Sequence, residues 1–492
     1  MLPEVGSTMV PPGLIFPSAS AASMIFAAMR SFTDPPGLRY STFARTVAAI
    51  PSVTELSLTS GVLPIRSTIE LAYFMTTKLP AGARTTMPPL RRGTRPDLLL
   101  PLDRSPPVTL RTASRAILPV LALACIAAGL LPGPALAGLW ERIWPILLFV
   151  TAMTVVTDLL FAAGVFERII AASARLAGGR TIVLWLVTVV LAVGCTVFFS
   201  LDTTAVLLTP LVVLLARRSG LPPLPFAMTI VWLANTASLI LPVSNLTNLL
   251  VQERLQLTPA AFAGLVYGPA VVGIVVPCAV LLLIFRRQLS GRFSAAAPRA
   301  AEDRVLLLCG YAVLALLVPA LVSGIPVAAS ASVAAGVLLV LFAVRRRSTL
   351  TFRLIPVNPL VLALSLFVLV TAAQAQGLDA GIAPVAGTGA GLADLLQLAA
   401  VGAAGANAVN NLPAYLALEP LAGSPLRLAA LLIGANLGPL VTPWGSLATL
   451  LWAERLQSLG LSIRWVPFAL AGLLVTALTL PAAVVVLWWT GS

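Results

Sequence analysis

Two acidic residues sit inside strongly apolar stretches of this chain: Asp158 in MTVVTDLLFAAG and Asp202 in FFSLDTTAVLLTP. A carboxylate surrounded by hydrocarbon is costly to keep, so residues of this kind mark ion or proton paths by default. Asp202 is followed by Thr203, Thr204, Thr209 and Pro210. The same carboxylate suits the N-cap of a short helix, and the two roles are compatible. Asp158 reads equally well as a second ion site or as a hydrogen-bonding partner between helices. Asp394 and Glu419 lie nearer the ends of their apolar segments and read as interfacial.

Neutral oxygen ligands cluster in a phrase the chain writes twice. ANTASLILPVSNLTNLLVQERLQ, residues 234–256, aligns without a gap at an offset of 201 with ANLGPLVTPWGSLATLLWAERLQ, residues 435–457, and matches it at 11 of 23 positions. Recurring Leu and Ala mean little in so apolar a chain, but the shared Asn, Pro and closing Glu-Arg-Leu-Gln identify a duplication. The first copy carries Asn235, Thr236, Ser238, Pro242, Ser244, Asn245 and Thr247; the second carries Asn436, Gly438, Pro439, Thr442, Pro443, Gly445, Ser446 and Thr449. Pro and Gly open a helix and free its backbone groups, while Asn, Ser and Thr add neutral donors and acceptors. That combination suits a small ion or a neutral polyhydroxy solute. Close helix packing by small residues is the structural alternative, and repetition in one register weighs against it.

A second polar cluster precedes each copy. Opposite the Asp202 segment stands GANAVNNLPAYLALEP, with Asn407, Asn410, Asn411, Pro413 and Tyr415. Setting Asp202 over Asn411 aligns Ala205 with Ala414 and Leu207 with Leu416, so this cluster is expected to be duplicated as well. The expected substrate- and ion-binding residues are Asp202, Thr203, Asn235, Ser244, Asn245, Thr247, Asn410, Asn411, Pro413, Asn436, Thr442, Gly445, Ser446 and Thr449. Asp202 and Asp158 are the candidate coupling carboxylates.

Membrane helices must position these groups. With 59% hydrophobic and 10% charged residues, the 492-residue chain shows apolar runs of 18 to 26 residues in succession from about residue 116 onward. Its net charge of +14 comes from arginines gathered in short loops, a pattern that orients a membrane protein rather than one that grips nucleic acid. The chain has no His, which removes histidine relays, His-ligated metals and Ser-His-Asp catalysis. Its sole lysine, Lys78, lies outside any Gly-rich loop, so the chain has no ATPase motif of its own. Cys125, Cys195, Cys278 and Cys309 are isolated in apolar runs and read as small buried hydrophobes. No cofactor or metal site is expected, and the lack of His and of paired carboxylates argues against an intramembrane enzyme. A passive channel stays open as an alternative.

Residues 1–110, rich in Pro, Ser, Thr and Arg, read as a disordered basic N-terminal tail, or as a stretch that a downstream start codon would partly remove. The first transmembrane repeat is expected over 116–285, a cytoplasmic loop over 286–304, and linking helices with the second repeat over 305–490. Apolar segments fall near 116–138, 143–163, 226–251 and 428–452 among others, and the pieces 203–216 and 411–421 are too short to span. Placing the arginine loops in the cytoplasm puts Glu253 and Arg254 outside and their copies Glu454 and Arg455 inside, so the repeats are inverted. The expected fold is an all-α polytopic membrane protein of about 11–13 transmembrane or re-entrant elements, with discontinuous helices in two inverted-topology repeats. It would lie in the inner (plasma) membrane as a multi-pass protein with a cytoplasmic N-terminus.

At Asp202 to Pro210, NTASLILPVSNLTN from Asn235, NNLP from Asn410, and above all LGPLVTPWGSLATLLW from Leu437, the chain resembles the arsenite efflux permeases. These belong to an ion transporter superfamily that includes citrate and sodium/dicarboxylate carriers. One departure is Leu201, where the permeases carry Asn before the Asp. The resemblance covers about 116–490 and implies two re-entrant hairpins, two broken helices and an elevator-like motion. It also implies arsenite or antimonite export against proton entry, with Ser244, Asn245, Asn411, Pro413, Thr442 and Ser446 inheriting the binding role. A sodium- or proton-coupled carrier of dicarboxylate, citrate or another anion is the alternative. The partners expected are a small inorganic or anionic solute, H+ or Na+ as coupling ion, the lipid bilayer, a separate ATPase subunit as in some such systems, and a second copy in a homodimer; no nucleic acid is expected.

Overall fold

In a computed structural model, residues 108–293 and 303–491 are described, and the expected tail over 1–110 lies outside them except for its last positions. The first half contains α1 (Val108–Ala127), α2 (Gly133–Ala162), α3 (Val165–Leu176) and α4 (Thr181–Phe199). It continues with α5 (Leu201–Thr203), a π-helical turn over Thr204–Leu208, α6 (Thr209–Arg218), α7 (Leu224–Thr236), α8 (Leu246–Leu255) and α9 (Pro259–Leu289). The second half holds α10 (Arg304–Val322), α11 (Val327–Arg345), α12 (Val357–Ala375), α13 (Leu378–Ala386) and α14 (Leu392–Val409). It ends with α15 (Asn411–Leu418), α16 (Pro425–Leu437), α17 (Leu447–Ser458) and α18 (Trp465–Gly491). Eight helices among the described residues are long and apolar enough to cross a membrane.

The repeats are visible in the backbone. At the offset of 201, α7 and α16 begin and end at equivalent residues, and α8 and α17 begin at equivalent residues. The segments expected as continuous over 226–251 and 428–452 are broken in the middle. Leu241 and Asn245 are extended in one, Ser446 in the other. Pro242, Gly438, Pro439 and Pro443 make these breaks, because proline supplies no amide to the ladder and glycine weakens it. The pieces expected over 203–216 and 411–421 are the returning arms of two hairpins, α4 to α6 and α14 to α15. Both hairpins turn on a non-glycine residue in a strained left-handed backbone, Ser200 (φ 110) and Asn410 (φ 96). This corrects the expected alignment by one residue: Ser200 matches Asn410 at an offset of 210, so Asp202 stands opposite Leu412 and not Asn411.

Other boundaries move for local reasons. The first two spans divide at 128–132 rather than near 140, because Gly129 takes φ +69 and Pro132 precedes the first turn of α2. The expected loop over 286–304 is shorter: α9 continues to Leu289, and Asp303 caps α10 by accepting from the amides of Val305 (2.9 Å) and Leu306 (3.2 Å). Arg345, donating to Asp303 at 3.0 Å, holds that carboxyl below its usual range, with the Leu306 amide adding to the effect.

Two packed groups emerge. A frame is formed by α2 against α11, α1 against α12, and α10 against α11. The hairpins and broken helices pack with α9 and α18 as a second group, through α7 on α9, α16 on α14 and α18, and α9 on α18. Several arginine-rich ends meet at one face: the Arg180 and Arg292 segments pair, Arg217 donates to Leu459 O (2.8 Å), and Arg346 to Ala162 O (3.4 Å).

Candidate functional site

The centre of the molecule is an amide and hydroxyl network joining the two repeats. Asn436, at the end of α16, accepts from Asn245 Nδ2 and Thr247 Oγ1, both at 3.0 Å, and donates to Asn248 Oδ1 at 2.7 Å. Asn248 donates onward to Ser238 O (2.6 Å) and Leu241 O (2.9 Å), tying down the open backbone of the first break. Asn235, the copy of Asn436, reaches across to Thr449 Oγ1 at 3.4 Å and bonds Val231 O, leaving its buried Oδ1 without a partner. All these side chains are buried, where an amide with its partners in place fixes one arrangement.

Asn245 and Ser446 cap α8 and α17 by accepting from Thr247 N and Thr449 N, while Ser200 and Asn410 cap α5 and α15 in the same way. Each hairpin is stitched to its neighbouring break. Ser244 Oγ donates to Val197 O, and in the second half Trp444 Nε1 donates to Asn407 O (2.8 Å), the counterpart of Val197 in the corrected register, although Trp444 itself stands opposite Val243. Asn407 also accepts from the amides of Val441 and Thr442, and Asn411 N donates to Gly445 O.

A cavity of about 340 Å³ lies between the frame and the hairpin tips. Its polar lining comprises Thr154, Thr157 and Asp158 from α2, Ser200, Asp202 and Thr203 from the first hairpin, Asn245 from the first break, and Asn410 and Asn411 from the second hairpin. The rest is apolar, and among the described residues no Arg or Lys lines it. Asp202 has a buried Oδ1 with no hydrogen-bond partner, and among the described residues neither Asp158 nor Asp202 makes an ion pair within 4 Å. Lining residues on α12, from Pro359 to Leu366, occupy its first half, near the 345–354 segment. The cavity therefore runs from mid-membrane toward the arginine-rich face. Four helix N-termini, those of α5, α8, α15 and α17, contribute lining residues, and their aligned peptide dipoles add partial positive charge.

Of the residues expected from sequence, the cavity brings together Asp202, Thr203, Asn245, Asn410, Asn411 and Asp158. Asn235, Ser244, Thr247, Pro413, Asn436, Thr442, Gly445, Ser446 and Thr449 do not line it; they form the layer behind, which holds the breaks open. Ser200, Thr154 and Thr157 line it without having been singled out. The i to i+4 spacing of Thr154 and Asp158, with Thr157 beside them, was the available signal. Among the described residues no group of acidic or thiol side chains is arranged to hold a metal.

The comparisons with known proteins point the same way. Arsenical pump membrane proteins of Yersinia enterocolitica and Escherichia coli are 28% and 29% identical to the chain over 386 and 368 residues, covering 72% and 68% of it and 89% and 84% of themselves. A 46 kDa membrane protein of Mycobacterium leprae is 24% identical over 70% of the chain and 86% of its own length. The solved YdaH transporter of Alcanivorax borkumensis matches 77% of this chain and 98% of its own at 17% identity, with a TM-score of 0.47. The protein is a membrane transporter, and since the citrate transporter family profile matches residues 108–426, well over half its length, the chain belongs to that family.

Proposed function

We propose that this transporter exports a neutral trihydroxy metalloid, arsenite or antimonite, in exchange for protons by alternating access. One observation carries the reading: the cavity holds two carboxyl groups, Asp158 and Asp202, and no cationic side chain. An anionic solute would meet both carboxylates with no cationic side chain in the described lining, whereas a neutral trihydroxy solute needs only the hydroxyl and amide groups present. The relatives named as arsenical pump membrane proteins support the same substrate class. The uncompensated carboxyl of Asp202 is the group a coupled proton would complete, with Asp158 as the second candidate.

The network residues around Asn235 and Asn436 then act as the hinge-fixing layer, and the groups lining the cavity bind the solute. The reading places the chain in the inner membrane with the arginine-rich face and the N-terminus in the cytoplasm, the first repeat over 116–285 and the second within 305–490. A separate ATPase subunit and a homodimer are further proposals, tested by co-purification and by mass in detergent. The family's description and the four helix N-termini favour a second reading, a citrate or dicarboxylate carrier driven by Na+ or H+. Everted vesicles separate the two. Proton-driven arsenite accumulation with no citrate or succinate transport is the expected result. Labelled citrate or succinate uptake without arsenite transport overturns the efflux reading.

A further inference from the structure

The closing Glu-Arg-Leu-Gln of the duplicated phrase lies outside the cavity and outside the amide network, yet its two copies sit at opposite rims in opposite states. At the rim away from the arginine-rich face, Arg142 of the frame helix α2 donates to Glu253 at 3.0 Å and to Glu419 at 2.5 Å. Glu419, only 3% exposed, also meets Arg254 at 3.7 Å and accepts from the Tyr415 hydroxyl at 3.1 Å, while Arg254 donates to Glu419 O at 2.8 Å. Arg142 thus clasps both moving elements, α8 of the first repeat and the α15 end of the second, to the frame. At the arginine-rich rim the copies Glu454 and Arg455 are exposed and make no ion pair among the described residues.

We propose that Arg142, Glu253, Arg254 and Glu419 form an ionic latch that holds the far rim closed by tying the first-repeat break and the end of the second hairpin to the frame, and that this latch must open before the cavity can be reached from the far side. Inverted repeats reach the second conformation when each adopts the arrangement its copy holds in the first, so the rim at which Glu454 and Arg455 make no ion pair is the open one here. Opening takes from the buried Glu419 its shortest ion pair and leaves it Arg254 at 3.7 Å and the Tyr415 hydroxyl, so the far latch resists opening. The seam between is otherwise mostly apolar, crossed by few other polar bonds such as Gln374 to Leu416 O at 2.8 Å.

This inference rests on the alternating-access reading but not on the identity of the solute. The test is substrate-free: Cys125, Cys195, Cys278 and Cys309 are replaced by Ser, Val206→Cys is placed in the cavity wall, and a membrane-impermeant maleimide is applied from either side. The parent should label from the arginine-rich side. Arg142→Gln should raise labelling from the far side by roughly fivefold or more, and Arg455→Gln, at the rim without an ion pair, should leave the parental pattern unchanged. Arg142→Lys, which keeps the charge, should keep the parental pattern, which guards against misfolding as the cause. Equal labelling in Arg142→Gln and parent overturns the latch while leaving transport intact. Far-side labelling absent from every variant, together with loss of transport coupling, overturns alternating access itself.

Discussion

The two copies of the central phrase start and break their helices at equivalent places and divide their chemistry unequally. In the second repeat Asn436 makes three side-chain hydrogen bonds across the interface; in the first, Asn235 makes one long bond there and leaves an oxygen unpaired. Packing differs in the same sense. Gly434 lies so close to α14 that a Cβ would stand 2.2 Å from Ala399 O, whereas the equivalent residue in α7 is Leu233. The second repeat is locked to its hairpin, and the first is looser and carries the charge. A duplicated fold can thus supply symmetry for the motion while sequence divergence assigns binding and rigidity to different halves.

The largest expected effect concerns the charge, since Asp202 has Leu412 as its counterpart. Asp202→Asn should reduce gradient-driven accumulation to the level of vesicles without the protein, while Leu412→Asn lowers the rate only in part. Equal losses would show that the hairpins, and not the carboxyl, set the difference. Next comes the network. Asn436→Ala strands Asn245, Thr247 and Asn248 and should cost about 2–4 kcal/mol, against about 1 kcal/mol or less for Asn235→Ala. Thermal melting of the solubilised protein reads both, and matched losses would remove the asymmetry. The smallest effect belongs to the hairpin tips, where Ser200→Gly and Asn410→Gly relieve a strained φ and lose a cap. The net change in stability should lie within about 1 kcal/mol, yet transport should fall in both because each tip lines the cavity.

Much of the fold was legible because its causes are local. Runs of apolar residues show where helices span, prolines and glycines where they break, and a gapless repeat how two segments superpose. The hairpin register was misread by one residue because the alignment followed Ala205 and Leu207, side chains that recur by composition, while the turn is made by backbone at Ser200 and Asn410. Glu419 was read as interfacial from its position near a segment end. It does lie at a rim, but buried among Arg142, Arg254 and Tyr415, partners up to 277 residues away.

By itself the sequence determined the membrane environment, the helical class, the duplication and the acids that merit attention, since each follows from residue type and spacing along one dimension. Only the tertiary structure decided which of the fourteen expected binding residues face the cavity and which brace the breaks behind it. A helix break presents side chains in every direction, and packing against the opposite repeat selects those left facing open space.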